Sequence, residues 1–293
     1  MSVEDSSQRF LFEHADVRGE LVSLDQSYRE VLAKHDYPEP VQALLGEMLA
    51  AAVLLSTTLK FDGLLVLQAR SPGPVSLLMV ECSSDQRVRA IARHADDLQG
   101  NTLAELMPEA VMAMTIDPDN GQRYQGIVAL EGESLAAALT AYFDTSEQLP
   151  TLFRLQADGR RARGFLLQAL PADRQKDPEQ RAATWEHLSI LANTLSAEEL
   201  LSLDNQTLLF RLFHEEEVRL FEPRTVCFEC SCSAERSANA LVSLGHEDAL
   251  SLLQERGGEI EIDCQFCNTR YRYGENELDE LFSNLKEQAK KMH

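Results

Sequence analysis

The sequence predicts an α+β protein that consists of an N-terminal mixed α/β domain, a helical linker and a small C-terminal domain. Three observations carry this prediction. Helix and strand patterns alternate irregularly over residues 1–171, and a polar stretch with two prolines follows at residues 171–180. Five of the six cysteines then cluster between Cys227 and Cys267. We therefore expect domains at residues 1–171, 172–226 and 227–293.

The N-terminal domain contains both kinds of hydrophobic pattern. Residues 40–59 are rich in Ala and Leu behind Pro40, which favours a buried helix with proline in its first turn. Residues 66–70 and 75–80 flank a Ser-Pro-Gly-Pro turn and predict two strands. Two further strands, at residues 112–116 and 123–130, flank the turn signal Asp-Pro-Asp-Asn-Gly. A helix at residues 134–143 and a strand at residues 165–170 complete this part.

Helical patterns dominate the linker region. We expect helices at residues 184–195 and 207–214, and Ser196 begins a Ser-Ala-Glu-Glu sequence with the spacing of a capping box. Apolar residues recur at intervals of three and four, so each helix must bury one face against another part of the protein. The residues of these faces are Leu188, Leu191, Leu195, Leu200, Leu208, Leu209, Leu212 and Phe213.

Composition limits the classes of partner and of compartment. The 293 residues are 44% hydrophobic and 26% charged, and their formal net charge of -21 disfavours binding to nucleic acid, which requires clustered Lys and Arg. The N-terminus lacks the basic start and apolar run of a signal peptide, and no stretch reaches the length of a membrane span. We therefore expect a cytoplasmic protein without membrane partners.

The clustered cysteines indicate metal or redox chemistry, because cytoplasmic thiols are ordinarily kept reduced. Cys264 and Cys267 form a C-x-x-C half-site of the kind that holds zinc. Cys230 and Cys232 form a tighter C-x-C pair, which can share a metal only where the backbone turns locally. Cys227 also makes a C-x-x-C pair with Cys230, so the spacing leaves the ligand set ambiguous by one residue.

Three functional interpretations of these thiols remain open from spacing alone. The first is a structural zinc site that replaces a missing apolar core. The second is a redox-regulated zinc site, and the third is a metal-free thiol-disulfide oxidoreductase that uses Cys264 and Cys267. The third lacks an evident strand-to-helix context at Cys264. Acidic residues on both sides of the second cysteine pair also disfavour a DNA-binding zinc ribbon.

Motifs along nearly the whole chain resemble the redox-regulated 33-kDa heat-shock chaperone family of bacteria. The matching stretches are Arg9-Phe-Leu-Phe-Glu, Val17-Arg-Gly-Glu-Leu-Val, His35-Asp-Tyr-Pro, Thr58-Leu-Lys-Phe-Asp-Gly, Arg123-Tyr-Gln-Gly, Glu147-Gln-Leu-Pro-Thr, Phe213-His-Glu-Glu-Glu-Val and Cys230-Ser-Cys-Ser. The resemblance implies that Cys230, Cys232, Cys264 and Cys267 hold one zinc ion in a reduced, inactive state. It also implies that oxidation joins Cys230 to Cys232 and Cys264 to Cys267 and releases the metal.

The function implied by the resemblance is that of an ATP-independent holdase, which binds unfolding client proteins under oxidative stress and forms a homodimer when active. Zinc loss should unfold the C-terminal domain and expose apolar helix faces of the linker. The candidate client-binding residues are Leu200, Leu208, Leu209, Phe210, Leu212 and Phe213. A constitutive zinc-stabilised scaffold is a further alternative.

Two cysteines lie outside the ligand set that the resemblance implies. Cys227 is not among the ligands that the resemblance implies, and it could compete for zinc or exchange disulfides. Cys82 follows an apolar run and is expected to be a buried core thiol. We find no catalytic triad, phosphate-binding loop or dinucleotide fingerprint, so we predict that the protein is not an enzyme.

Overall fold

The computed structural model describes residues 5–59 and 61–291, with side chains up to residue 283. Within these residues the chain divides into two compact units, Met1–Glu229 and Cys230–His293. The helices are α1 (Gln26–Leu32), α2 (Glu39–Thr58), α3 (Leu103–Leu106), α4 (Leu135–Thr145), α5 (Pro178–Asn193), α6 (Ala197–Ser202), α7 (Asn205–Phe213), α8 (Ala234–Leu244), α9 (His246–Glu255) and α10 (Glu275–Lys291).

The strands form three sheets. The first has the order β10-β1-β2-β9-β8, with β11 also paired to β1, the second has the order β12-β5-β4-β3-β6-β7, and β13 and β14 form a hairpin. Their bounds are β1 (Ser6–Phe12), β2 (Val17–Leu24), β3 (Gly63–Arg70), β4 (Val75–Ser83), β5 (Arg87–His94), β6 (Val111–Pro118), β7 (Tyr124–Ala129), β8 (Thr151–Ala157), β9 (Ala162–Ala169), β10 (Val218–Leu220), β11 (Arg224–Thr225), β12 (Cys227–Phe228), β13 (Ile260–Asp263) and β14 (Arg270–Tyr273).

Helix α2 is the centre of the first unit, because it packs against strands of both large sheets. Thirteen of its residues are buried, and all of them except Gly46 and Ser56 belong to the main apolar cluster of the protein. Among the described residues, α2 is the one helix that is long and apolar enough to cross a membrane, so the expectation that no stretch reaches that length is wrong. Its most apolar 18 residues are 72% buried inside the protein, as in the core helix of a soluble domain. The buried helix predicted at residues 40–59 is confirmed.

The linker helices α5, α6 and α7 belong to the first unit, where they cover the outer face of the first sheet. Their apolar side chains form a second cluster with sheet residues that include Phe10, Phe12 and Phe165. The ring of Phe213 lies 5.0 Å from that of Phe12 in an edge-to-face arrangement. Phe10 itself needs Gly19 opposite it, since a Cβ at this position would overlap its ring. The linker helices therefore bury their apolar faces against the first sheet.

One detail of the linker, the start of its first helix, differs between prediction and structure. Helix α5 begins at Pro178, six residues before the predicted start, because Asp177 caps the helix and proline fits its first turn. The capping box at Ser196 and Glu199 is confirmed in both of its hydrogen bonds. The short strand β12 pairs in parallel with β5, and residues 227–229 group with the first unit. The domain bounds 1–171, 172–226 and 227–293 stay a prediction.

Candidate metal centre

The second unit brings four cysteine sulfurs together. The Sγ atoms of Cys230, Cys232, Cys264 and Cys267 all lie within 4.8 Å of one another. The shortest separations are 3.6 Å between Cys230 and Cys264 and 3.4 Å between Cys232 and Cys267. Zinc–sulfur bonds of about 2.3 Å in a tetrahedron would place sulfurs roughly 3.8 Å apart. The donor set and its spacing therefore fit a tetrahedral zinc ion.

The Cys264–Cys267 half of the site is the turn of the β13–β14 hairpin. The backbone N–H of Cys264 donates to the carbonyl of Thr269 at 2.9 Å, and the N–H of Asn268 donates to the carbonyl of Cys264 at 2.8 Å. Asn268 takes a left-handed conformation with φ of 60°, which asparagine tolerates better than most residues. This tight turn directs both thiols to one side of the hairpin.

The Cys230–Cys232 half lies in irregular backbone immediately before helix α8. Ser233 caps this helix by accepting a hydrogen bond from the backbone N–H of Arg236. The guanidinium of Arg236 donates in turn to the carbonyl and the hydroxyl of Ser231, between the two cysteines. The helix start thus fixes the local turn that a C-x-C pair needs to point both sulfurs at one metal.

Two side chains of the hairpin form hydrogen bonds with the sulfurs. The hydroxyl of Tyr271 donates to the Sγ atom of Cys232 at 3.1 Å, and the hydroxyl of Thr269 lies 3.1 Å from the Sγ atom of Cys267. Such contacts orient metal ligands and stabilise negative charge on sulfur. Neither residue was singled out from the sequence. The signal was their place two and four positions after Cys267, where the returning strand of a hairpin begins.

The two thiols of the hairpin turn differ in acidity. Partial burial raises the pKa of Cys267, but hydrogen bonds from Thr269 and from the neighbouring thiols outweigh it and lower the pKa to about 6. Burial raises the pKa of Cys264, and backbone N–H groups of Cys267 and Phe266 compensate only in part. The site therefore favours thiolate at Cys267 even before a cation adds its own charge.

The acidic residues before the second cysteine pair are neutralised locally. Arg270 contacts Glu261 and Asp263, and Arg272 contacts Glu259 and Glu261, with nitrogen–oxygen distances of 2.7–3.6 Å. All of these side chains are about half exposed, so each pair contributes little to stability. The sulfur cluster is therefore not surrounded by unpaired carboxylates on this hairpin.

The other two cysteines lie in the first unit. Cys227 is exposed in β12, where its backbone N–H donates to the carbonyl of Gln86, and it is outside the four-sulfur group. Cys82 is fully buried beside Ser56, and burial raises its pKa to about 12. The prediction that Cys82 is a core thiol is confirmed.

The candidate client-binding residues fall into two classes by burial. Leu200, Leu208, Leu209, Leu212 and Phe213 are buried in the cluster between the linker helices and the first sheet. Phe210 points the other way and is 71% exposed. The first five can meet a partner only after the helices leave the sheet, whereas Phe210 is accessible in this conformation. Their role in client binding stays a prediction.

Comparison with protein families matches residues 5–274 to the family described as Hsp33 protein. A 33 kDa chaperonin of Pseudomonas paraeruginosa is 65% identical over 291 residues, which cover 99% of this chain and 98% of the relative. A 33 kDa chaperonin of Azotobacter vinelandii is 66% identical over 285 residues, covering 97% and 96%.

The fold has a counterpart among solved structures. The crystal structure of a 33 kDa chaperonin, a heat shock protein 33 homolog from Thermotoga maritima, matches with a TM-score of 0.82 and 24% identity, over 97% of this chain and 99% of that one. At this identity the match supports the fold. The family match and the curated relatives, together with the four-cysteine cluster in its second unit, show that the chain belongs to the Hsp33 family.

Proposed function

We propose that this protein is a redox-regulated, ATP-independent chaperone that holds unfolding proteins under oxidative stress. The observation that carries the proposal is the group of four free thiols within 4.8 Å of one another in a unit with a small apolar core. Membership in a family whose relatives are named 33 kDa chaperonin supports the chaperone activity. The reduced, zinc-bound protein is the inactive form.

The proposed cofactor is one zinc ion per chain, held by Cys230, Cys232, Cys264 and Cys267. When bound, zinc keeps the four sulfurs as thiolates and supplies folding free energy on the order of 10 kcal/mol. The chain contributes the hairpin turn, the cap of α8, and the hydroxyl groups of Thr269 and Tyr271 that hold the sulfurs in place.

The proposed trigger is oxidation of these thiolates by hydrogen peroxide. One thiolate attacks the peroxide, which breaks the O–O bond, releases hydroxide and leaves a sulfenic acid. A second thiolate attacks that sulfur, forms the disulfide and expels a second hydroxide. Two disulfides consume two peroxides, and disulfide sulfur is a poor zinc ligand.

We propose the pairs Cys230–Cys232 and Cys264–Cys267, which the family resemblance implies. The shortest sulfur contacts are between the pairs instead, at 3.6 Å for Cys230 and Cys264 and 3.4 Å for Cys232 and Cys267. All four atoms are close enough for either arrangement after small movements. Peptide mapping of the oxidised protein by mass spectrometry will distinguish them, and crosslinked peptides joining residue 230 to 264 would contradict our assignment.

Zinc loss is proposed to unfold the second unit and then to loosen the linker. Between α7 and Cys230 the chain is held to the first unit by three strands of three, two and two residues. Such short strands resist little once the following segment is disordered. Release of the helices from the first sheet would expose Leu200, Leu208, Leu209, Leu212 and Phe213 to clients, beside the already exposed Phe210.

The decisive experiment measures zinc release and suppression of client aggregation in the same sample during peroxide treatment under mildly unfolding conditions. We expect about one zinc per chain to leave as suppression appears, and dithiothreitol with zinc to reverse both. Zinc that stays bound, or leaves without any holding activity, would instead identify a constitutive structural site.

A thiol-disulfide oxidoreductase is the rival function, and the geometry favours it less. Cys264 and Cys267 lie in a hairpin turn, not at the start of a helix that would activate a thiolate, and burial raises the pKa of Cys264. An oxidoreductase would turn over a dithiol substrate many times, whereas a holdase acts in proportion to its own concentration. We therefore propose a protein without enzymatic activity.

The proposed setting is the cytoplasm, and the proposed partners are unfolded proteins and, in the active state, a second copy of the chain. The net charge of -21 supports the absence of nucleic acid as a partner. The burial of α2, the one membrane-span candidate among the described residues, supports the absence of a membrane partner.

A further inference from the structure

We propose that the carboxylate of Asp16 is an autoinhibitory latch, which holds the start of the linker on the first unit and keeps the apolar helix faces closed in the reduced protein. This inference rests on the proposed chaperone function and names a contact that regulates it. Asp16 lies in the turn between β1 and β2. Its partners are backbone N–H groups of residues 173–175, just before α5 begins at Pro178.

The carboxylate of Asp16 accepts hydrogen bonds on both oxygens. Oδ1 accepts from the N–H of Arg174 at 3.0 Å, and Oδ2 accepts from the N–H groups of Asp173 at 3.0 Å and Gln175 at 3.1 Å. Asp16 is only 7% exposed. Burial alone would raise the pKa of Asp16, but the three backbone donors outweigh it and hold the pKa below its usual value. The acceptor is therefore an ionised group, whose hydrogen bonds are stronger than those of a neutral one.

Other groups of the same turn bind the same stretch of the linker. The guanidinium of Arg174 donates to the carbonyl of Glu13 and lies 3.4 Å from its carboxylate. The side-chain amide of Gln175 donates to the carbonyl of His14 at 3.2 Å. The β1–β2 turn therefore fixes the position in which the linker leaves the first sheet.

The far end of α5 is also held by a charged side chain of the first sheet. Arg154 of β8 donates to the carbonyl of Asn193 at 2.9 Å and to that of Leu195 at 3.2 Å. A cation at this end also opposes the partial negative charge of the free carbonyls of the helix. Side chains of opposite charge thus bind the backbone at both ends of α5, in addition to its apolar contacts.

Helix α5 is packed together with α6 and α7. Its buried residues Leu188 and Ala192 belong to the same apolar cluster as the buried candidate client-binding residues. Arg211 of α7 donates to the hydroxyl of Thr194 at 2.9 Å and to the carboxylate of Glu199 at 2.6 Å. Because the three helices form one packed group, a contact that holds α5 also favours the closed position of α6 and α7.

The Asp16 hydrogen bonds act on the equilibrium between docked and released linker, because they exist only while the linker is docked. Loss of one hydrogen bond to a charged group is enough to change such an equilibrium about tenfold. The latch contains no residue of the second unit. Weakening it should therefore release the linker while the four sulfurs keep their metal.

The test uses the full-length, reduced, zinc-loaded Asp16→Asn variant, which replaces one carboxylate oxygen by an NH₂ group that faces backbone donors. We expect it to suppress aggregation of chemically unfolded citrate synthase at roughly tenfold lower concentration than reduced wild type, with about one zinc per chain retained. Amide hydrogen exchange should show lost protection at residues 173–175 and in α5, α6 and α7, and unchanged protection in β13 and β14.

The matched control is Asp5→Asn. Asp5 is also 7% exposed, and its carboxylate accepts from three successive backbone N–H groups, those of Asp25, Gln26 and Ser27 at the start of α1. This substitution weakens the same kind of contact in the same unit, but at a helix outside the linker. It should lower the stability of the first unit and leave aggregation suppression by the reduced protein unchanged.

A second variant, Arg154→Met, keeps the proposal testable if Asp16→Asn does not fold. Methionine retains much of the apolar stem of arginine but cannot donate to the carbonyls of Asn193 and Leu195. Reduced Arg154→Met should suppress aggregation at roughly threefold lower concentration than reduced wild type, again without zinc loss.

The proposal is overturned if the reduced Asp16→Asn and Arg154→Met variants suppress aggregation no better than wild type, if Asp16→Asn and Asp5→Asn behave alike, or if suppression appears only as zinc leaves. Peroxide-treated wild type is measured in the same assay. If it suppresses aggregation while both reduced variants fail, only the latch assignment is wrong. If it also fails, the chaperone proposal is wrong, and the latch with it.

Discussion

The two units of the protein have apolar cores of very different size. The first unit has two large apolar clusters, one around α2 and one between the linker helices and the first sheet. The second unit has one described cluster, whose eight buried residues are Ala238, Leu241, Ala249, Leu253, Ile260, Tyr273, Leu278 and Phe282. So small a core leaves little margin against the conformational entropy of its chain. We therefore expect metal binding at the sulfur site to be the main support of the second unit.

The largest expected effect follows from removing that support. Chelation of zinc, or Cys264→Ser, should unfold the second unit because a loss on the order of 10 kcal/mol exceeds what its core supplies. Amide hydrogen exchange should show lost protection after Cys230 and unchanged protection in α2.

The matched control is Cys82→Ala, which removes a buried thiol of the first unit and should leave zinc content unchanged. Retained protection in β13 and β14 after chelation would contradict the proposed dependence on metal.

A second prediction concerns the contact between linker and sheet. Phe213→Ala removes a buried ring that packs against Phe10, Phe12 and Phe165, and should destabilise the first unit by about 3–5 kcal/mol. Because the helices then leave the sheet more often, client binding by the reduced protein should rise. Denaturant unfolding and aggregation assays under reducing conditions measure both effects.

The neighbouring Phe210 offers the control, since it is 71% exposed and its replacement by Ala should change stability little. If Phe213→Ala lowers stability but leaves reduced-state client binding unchanged, the linker faces are not the switched surface.

A third prediction uses the pH dependence of stability to distinguish the two units. Burial raises the pKa of Glu20 in β2 from 4.5 to about 7, against the opposing effects of Arg9 and Arg18. Between these values the native state binds a proton that the unfolded chain has lost, so stability falls as pH rises and the full penalty is present above pH 7. Glu20→Gln should therefore stabilise the first unit by about 3 kcal/mol at pH 8 and by almost nothing at pH 4.5.

Thermal or denaturant unfolding of both proteins at the two pH values provides the measurement. Metal binding by the second unit should respond in the opposite direction, because protons compete with zinc for thiolates as pH falls. An equal gain at both pH values would mean that the pKa of Glu20 does not differ between the native and the unfolded state.

The smallest expected effect comes from losing a hydrogen bond to one of the four sulfurs. Tyr271→Phe removes the hydrogen bond to Cys232, worth about 1 kcal/mol, and leaves that thiolate less stabilised and more nucleophilic. Peroxide-driven zinc release, followed with a chromophoric chelator, should become roughly fivefold faster. Tyr273→Phe is the control, since its hydroxyl bonds the carbonyl of Ala234 and no sulfur; equal rates in both variants would remove Tyr271 from the mechanism.

Local signals in the sequence predicted the elements whose formation is local. The apolar composition of α2, the hairpin of β6 and β7, and the capping box at Ser196 each lie within a short window. Strands β1 and β2 were not predicted, although β1 ends in an apolar run, because its first half is polar and its order comes from pairing with partners as distant as β10. For the same reason, the sequence did not predict that the linker helices pack against the first sheet.

The sulfur site was predictable in part. Spacing identified Cys264 and Cys267 as a half-site, yet it could not decide between Cys227 and Cys232 as partners of Cys230. That choice depends on strand β12, whose two residues pair with Arg87 and Val88 far away in sequence. Thr269 and Tyr271 likewise became recognisable only when the hairpin placed their hydroxyl groups beside sulfur.

The two-residue strand β12 attaches the chain to the first unit just before the sulfur cluster. Phe228 packs against the main apolar cluster and Lys34 stacks on its ring, two residues before the first of the four clustered thiols. On the proposed mechanism, disorder that begins at Cys230 reaches the linker only after the Phe228 ring has left this cluster. Oxidation alone would then unfold only the second unit. A second stress that loosens the first unit would be needed to release the linker, so the chain would respond only when oxidant and protein-unfolding conditions occur together.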